Sequence, residues 1–276
     1  MDDWPEYITQ AFEAVRLAGT EEDAEKAIES FASRWGGLDL DIFKQVLEER
    51  KGQDRLIALF ALGYSQKPVA RLLLLPFLAS PHQRERWACA VCLGQLREER
   101  AIPVLKEILL EEGFENLTRD DSSLDQADFW YETQRGRAAL LLAEWNDPQI
   151  VPLLRRALQA TWQREQERAT QTGQRSFTSH PENAIAFALG KLGAFGTLLP
   201  LEQPSPRLRI ALIHVALGYL YTRGYRYQNI MMELGERTLL GKEVIRVLEE
   251  HVGVTTAQAR AIIEQFLDDY ATQLRS

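Results

Sequence analysis

The sequence predicts an all-α fold, a right-handed superhelix built from repeated pairs of helices. Two observations lead to this prediction. A nine-residue pattern of arginine, small residues, leucine and glycine recurs along the chain, and a proline-containing pattern follows several copies at a constant distance. The 276-residue chain is 45% hydrophobic, which is enough apolar content to bury a continuous core.

The recurring pattern is the first helix of each predicted pair. Its third copy has alanine in place of the final glycine, and its fourth and fifth copies lack the arginine; the five copies span residues 55–63, 86–94, 135–143, 182–190 and 210–218. Small residues spaced three and four apart share one helix face and let neighbouring helices approach closely. We therefore expect about five repeats within residues 53–222.

The second helix of a pair begins with a proline. Pro103 follows Gly94 by nine residues, and Pro152 follows Ala143 by the same nine. Proline is tolerated in the first turn of a helix because the amide there has no intrahelical partner. The shared offset indicates that both helices of the pair repeat as one unit.

The two patterns resemble the HEAT-like repeats of the bilin-lyase type, also called PBS lyase HEAT-like repeats. In that family the pattern of helix A is similar to Val-Arg-x-x-Ala-Ala-x-Ala-Leu-Gly-x-Leu, and the pattern of helix B is similar to Ala-Val-Pro-x-Leu. Residues 86–105 match best, and the resemblance covers roughly residues 53–221. The resemblance implies a HEAT/ARM-like solenoid, and it says little about function because the motif residues are mostly core.

Two repeats carry predicted insertions. Gly63 and Gly94 are 31 residues apart, whereas Gly94 and Ala143 are 49 apart and Ala143 and Gly190 are 47 apart. The first insertion, residues 111–134, holds eight acidic side chains and one arginine; the second, residues 161–181, extends a helix and then becomes a polar loop.

The two ends are predicted to cap the repeats within one structural domain. Residues 1–52 read as three amphipathic helices and hold 13 acidic and 6 basic side chains. Residues 223–276 contain a helical apolar stripe, and Thr255 with Gln258 forms a capping-box signal for a last helix. Caps with a polar outer side prevent a solenoid from polymerising.

Charge and composition exclude several classes of function. The net charge is −8 and the isoelectric point is about 5.2, so we do not expect nucleic acid as a partner. No apolar stretch reaches the length of a membrane helix and the amino terminus is acidic, so we expect no membrane association and a cytoplasmic location.

The residues that could carry chemistry have structural interpretations. Cys89 and Cys92 occupy small-residue positions of a repeat helix, and no second cysteine pair exists to complete a zinc site. None of the four histidines precedes a glutamate, unlike the repeated His-Glu iron ligands of the deoxyhypusine-type HEAT-like hydroxylases. His82 is expected at the surface, at the start of a helix. We expect no catalytic residues, no metal and no cofactor, and the sequence favours a protein without enzymatic activity over an enzyme.

The candidate binding residues are two arginines and three aromatic residues near the insertions: Arg155, Arg156, Trp162, Trp130 and Tyr131. Guanidinium groups beside an indole suit a partner that carries carboxylates or phosphates. Their alternative interpretation is a solvated pair of arginines and aromatic residues that pack on the solenoid. We also expect the two insertions to lie beside each other, since residues 111–134 net −7 and residues 149–180 net +3.

The leading functional hypothesis is a non-catalytic scaffold or adaptor that binds another, unidentified protein through its concave face and insertions. The first alternative is an accessory lyase-like protein that handles a bilin or another chromophore, as the repeat subtype implies. The second is a helical-repeat DNA-base glycosylase, which would need a basic concave face and which the acidic isoelectric point disfavours.

Overall fold

A computed structural model of the chain describes residues 6–18, 21–34, 40–49, 51–110, 124–172, 181–197, 205–226, 230–235 and 238–273. These residues form helices and the turns between them, and no strand occurs among them. The predicted all-α class is confirmed. The chain divides into two compact units, one formed by residues 1–108 and 121–134 and the other by residues 109–120 and 135–276.

Among the described residues, the first unit contains seven α-helices. They are α1 Glu6–Arg16, α2 Glu21–Arg34, α3 Leu40–Glu49, α4 Gln53–Tyr64, α5 Pro68–Leu74, α6 Gln83–Gln95 and α7 Ile102–Leu110, the last of which ends just beyond the unit. The helix α8 Leu124–Glu144 begins in the first unit and ends in the second, with the division after Gln134.

The described part of the second unit continues from α8 with six further helices. They are α9 Val151–Thr172, α10 Pro181–Lys191, α11 Pro206–Thr222, α12 Ile230–Glu233, α13 Leu239–Val247 and α14 Thr256–Gln273. A π-helical turn, Leu248–Val252, extends α13.

The first helices of the repeats pack against each other within each unit through their small residues. In the first unit α4 packs on α6, and a Cβ atom added to Gly63 would lie 2.5 Å from both Cβ and Sγ of Cys92. In the second unit α10 packs on α11, where a Cβ atom on Gly190 would overlap the carbonyl oxygen of Val215. The predicted role of these positions in close helix approach is confirmed.

The second helices of the repeats begin as the prolines predicted. Pro103 and Pro152 occupy the second positions of α7 and α9. A short 3₁₀ turn precedes each helix, and its backbone N–H groups are capped by the side chains of Glu98 and Asp147. Between α10 and α11 the described residues form only a 3₁₀ turn, Phe195–Thr197.

The last helix has the predicted capping box. The backbone N–H of Thr255 donates to Oε1 of Gln258 at 2.8 Å, and the backbone N–H of Gln258 donates to Oγ1 of Thr255 at 3.3 Å. The predicted apolar stripe of α13 is buried except at its first residue, since Leu239 is 70% exposed. Leu239 opens the helix, where no preceding turn covers its side chain.

The predicted insertions fall partly on residues outside the described ranges. Residues 111–123 and 173–180 belong to this part of the chain. The described remainder is helical, because α8 already begins at Leu124 and α9 runs to Thr172, where the sequence predicted the change to a polar loop. The adjacency of the two insertions, the three-part domain boundaries and the handedness of the superhelix stay predictions.

Candidate functional site

The predicted arginine pair lies on the exposed face of α9. Leu154, Ala157, Leu158 and Thr161 form the buried face of this helix, and Arg155 and Arg156 are exposed opposite them. The 3.6-residue period of the helix separates the two faces. The two guanidinium groups therefore lie at the surface of the second unit.

Trp162 follows two turns later on the same helix and is half-buried. Its carbonyl oxygen accepts a hydrogen bond of 3.2 Å from Nη1 of Arg207, near the start of α11. Its indole Nε1 is buried and has no hydrogen-bond partner among the residues that the structure describes. A buried donor without an acceptor costs about 1–3 kcal/mol.

The other two predicted binding residues, Trp130 and Tyr131, lie on α8 in the part that belongs to the first unit. Their side chains are outside the described part of the structure. Arg155, Arg156 and Trp162 belong to the second unit, and the assembly of all five residues into one site stays a prediction.

The second unit has another surface that combines aromatic rings and cations, which we name the arginine–tyrosine rim. It lies at the carboxyl ends of α10 and α11 and on the π-helical turn, and it consists of Lys191, Phe195, Tyr219, Tyr221, Arg223, Arg226 and His251. The sequence contained a signal for it in the alternation of tyrosine and arginine between Tyr219 and Arg226. This stretch spans the predicted end of the repeats at residue 222 and the start of the predicted C-terminal cap.

Cations cover the tyrosine rings of this rim. The guanidinium carbon of Arg226 lies 3.9 Å from the ring centre of Tyr221, and Nζ of Lys191 lies 5.4 Å from the same centre. The guanidinium of Arg223 lies 4.6 Å from the ring centre of Tyr219 and also donates to the hydroxyl of that tyrosine. These distances are typical of cation–π contacts.

An aromatic stack supports the rim from the π-helical turn. The His251 ring stacks on Phe195 with 4.5 Å between ring centres, and it meets Tyr219 edge-on at 4.7 Å. Phe195 is buried, so the stack fixes the exposed residues to the core. Single π-helical turns are frequent at functional sites.

The cysteines belong to the core, as predicted. Both are free and fully buried, and Sγ of Cys89 donates to the carbonyl oxygen of Leu74 at 2.9 Å. Burial, with a smaller contribution from neighbouring Cys92, raises the pKa of the Cys89 thiol far above its usual range. A thiol in this state is unreactive as a nucleophile or metal ligand.

The described histidines have different environments. His82 is exposed at the start of α6, as the sequence predicted, and burial lowers the pKa of His214 on α11 to about 4. His180 lies outside the described residues.

Within the described ranges no group of three or more His, Cys, Asp or Glu side chains is placed to hold a metal ion. No helix in these ranges combines the length and apolar character needed to cross a membrane.

A comparison with known families agrees with the repeat pattern. A family model of HEAT repeats matches residues 40–120, a range that includes α3 as well as the first two predicted repeats. No curated protein matches the chain. The chain is therefore an all-α helical-repeat protein with HEAT-like repeats over the matched range.

Proposed function

We propose that the chain is a non-catalytic scaffold or adaptor that binds another protein in the cytoplasm. The observation that carries this proposal is the exposed face of α9, where Arg155 and Arg156 lie two turns from the unsatisfied indole N–H of Trp162. HEAT-like repeats support it further, because stacked helix pairs provide extended binding surfaces.

The charges of this face favour a carboxylate-bearing partner. Arginine guanidinium groups bind carboxylates through two parallel hydrogen bonds and are enriched at the centres of protein interfaces. Tryptophan supplies apolar area and one donor, which is the other common anchor of such interfaces.

Site-specific photocrosslinking tests the proposal. A photoreactive residue replaces Arg156 in one variant and Gln265, which is exposed on α14 in the same unit, in a matched control. We expect crosslinking in native cells to link position 156, but not position 265, to one defined protein, and substitution of Arg155 by Glu to abolish the adduct. Identical adducts at both positions, or none at position 156, would contradict the proposal.

Two simple measurements separate the alternatives. Visible absorbance of the purified chain would indicate a bound pigment and favour a chromophore-handling protein of the bilin-lyase type. A shift of duplex DNA at low salt would favour the glycosylase class. We expect neither signal.

A further inference from the structure

We propose that the arginine–tyrosine rim is a docking surface for an acidic peptide segment of a partner protein. This proposal rests on the scaffold function proposed above and adds a second surface to it. The surface lies on different elements from Arg155 and Arg156, so each can be tested without the other.

The first argument is that the two arginines of the rim have no ionised partner in the described structure. Arg223 donates to the hydroxyl of Tyr219 through Nη2. Arg226 donates through Nη1 to the carbonyl oxygens of Tyr221 at 2.9 Å and Tyr225 at 2.8 Å. Each guanidinium thus commits one nitrogen atom to the protein, and its remaining donors are available to an anion.

Other cations near the rim form ion pairs, unlike Arg223 and Arg226. Lys191 forms an ion pair with Glu144, and Arg246 forms one with Glu243. Glu250 lies 4.0 Å from the His251 ring. Lys191 and Arg246 have carboxylate partners of their own, whereas no ion pair of Arg223 or Arg226 occurs among the described residues.

The second argument is that the two guanidinium groups are held in place before any partner binds. Each one is stacked on a tyrosine ring and hydrogen-bonded at the end of α11. An arginine fixed in this way loses little side-chain entropy on binding, so more of the interaction with a carboxylate is retained as affinity.

The third argument is the exposed ring between these cations. Tyr221 is 37% exposed, and its ring meets Phe187 edge-on with 5.6 Å between ring centres. Arg226 and Lys191 lie over this ring, so its exposed part and the cations present one combined aromatic and cationic contact surface, and both kinds of group are common in protein interfaces.

These features favour a peptide over a nucleic acid. Two unpaired arginines suit one or two carboxylates, whereas nucleic-acid affinity requires many phosphate contacts along a basic surface. The net charge of −8 repels a long polyanion but not a short segment whose carboxylates reach a local positive site.

Fluorescence anisotropy of the full chain tests the proposal. The probe is a fluorescein-labelled peptide of alternating Glu and Tyr, with a Gln and Tyr peptide of equal length as the uncharged control and oligo-dT as the nucleic-acid control. We expect the acidic peptide alone to bind, with an affinity that falls as salt rises. Tighter binding of oligo-dT, or equal binding of the uncharged peptide, would overturn the proposal.

Variants locate the binding site. We expect R223Q/R226Q to weaken binding of the acidic peptide by at least about tenfold, because two charge-assisted hydrogen-bonding groups are lost. The matched variant K242Q/R260Q removes two positive charges from exposed positions of α13 and α14 in the same unit and should bind as the unmodified chain does. Equal weakening by the two variants would refute the assignment to the rim.

Arg226 also binds carbonyl groups at the end of α11, so its substitution can destabilise the fold as well as remove a charge. The melting temperature of each variant separates the two effects. If R223Q/R226Q lowers the melting temperature, R223K/R226K preserves the charge and should recover part of the lost affinity. An adduct at position 156 without peptide binding would refute the rim proposal and leave the scaffold function intact. Peptide binding without that adduct would contradict the scaffold proposal carried by α9 and leave the rim as a separate peptide-binding surface.

Discussion

The two units use the same small-residue positions for different kinds of contact. In the first unit Gly63 of α4 faces the side chain of Cys92 on α6. In the second unit Gly190 of α10 faces the main chain at Val215, and Gly218 of α11 faces the carbonyl oxygen of Phe187. The contact in the second unit is reciprocal, because a glycine of α10 packs against the backbone of α11 and a glycine of α11 packs against the backbone of α10.

This difference shows what the repeat motif specifies. Glycine at its last position permits close approach, but the residue on the facing helix decides whether a side chain or the main chain fills the space. A side chain can be changed by one substitution, whereas a carbonyl oxygen is present whatever residue stands there. The cost of adding a methyl group should therefore differ between the units.

The largest effect is expected in the second unit. G190A and G218A each place a methyl group on a backbone carbonyl oxygen, so α10 and α11 must separate, and we expect each to lower the free energy of unfolding by about 3 kcal/mol or more. Chemical denaturation measures the loss. The control G196A adds a methyl group that has no atom of another described residue within 4 Å, its chain neighbours aside, and should leave stability nearly unchanged. A control that destabilises as much as G190A would contradict the packing explanation.

In the first unit G63A should cost less, about 2 kcal/mol. The added methyl group meets Cβ and Sγ of Cys92 at 2.5 Å and its Cα at 3.1 Å, and rotation of the Cys92 side chain relieves the part of this overlap that involves Sγ. Denaturation of the same variant series gives the value. A loss as large as that of G190A would mean that the facing side chain offers no relief.

Acid should affect the two units differently. Burial lowers the pKa of His214 in the second unit to about 4 from 6.5, so below pH 6.5 the unfolded chain binds a proton that the folded chain does not. Stability is then lost as pH falls from 6.5 towards 4, by about 1 kcal/mol at pH 5 for a partly exposed ring. Cys89 of the first unit stays neutral over this range. H214Q should remove this component of the pH dependence of unfolding, and an unchanged pH profile would argue against a neutral His214.

The smallest effect is expected at Gly136 on α8. An added Cβ atom would lie 3.2 Å from Cβ of Ala184, which is tight, but a displacement of a few tenths of an ångström relieves it. Alanine also favours a helix over glycine by about 1 kcal/mol. We therefore expect G136A to change the free energy of unfolding by less than about 0.5 kcal/mol, as thermal and chemical denaturation can measure.

Much of the fold could be predicted from the sequence because local signals determine it. The period of small residues placed α4, α6 and α11, and the prolines located the starts of α7 and α9. The capping box at Thr255 identified the start of α14. These features depend on residues a few positions apart, which a sequence displays directly.

The contacts between elements could not be predicted in the same way. Gly190 faces a carbonyl oxygen and Gly63 faces a cysteine side chain. The residues that neighbour each glycine in the sequence do not predict this difference, because each contact depends on how two separate helices pack. The rim was missed for a similar reason. Tyr219 and Arg223 are close in sequence, but Phe195 and His251 join the cluster from distant parts of the chain. His251 lies on a π-helical turn that no sequence pattern predicted.

In the first unit a side chain limits how closely the helices approach, and in the second unit the main chain does. Paired double-mutant cycles measure this difference. The cycles are G63A with C92G, and G190A with V215G, each measured by chemical denaturation. We predict a favourable coupling of about 1 kcal/mol or more in the first cycle, since removing the Cys92 side chain makes room for the new methyl group. We predict coupling near zero in the second, because the Val215 carbonyl remains. Equal coupling energies, or a larger coupling energy in the second cycle, would contradict this difference between the two units.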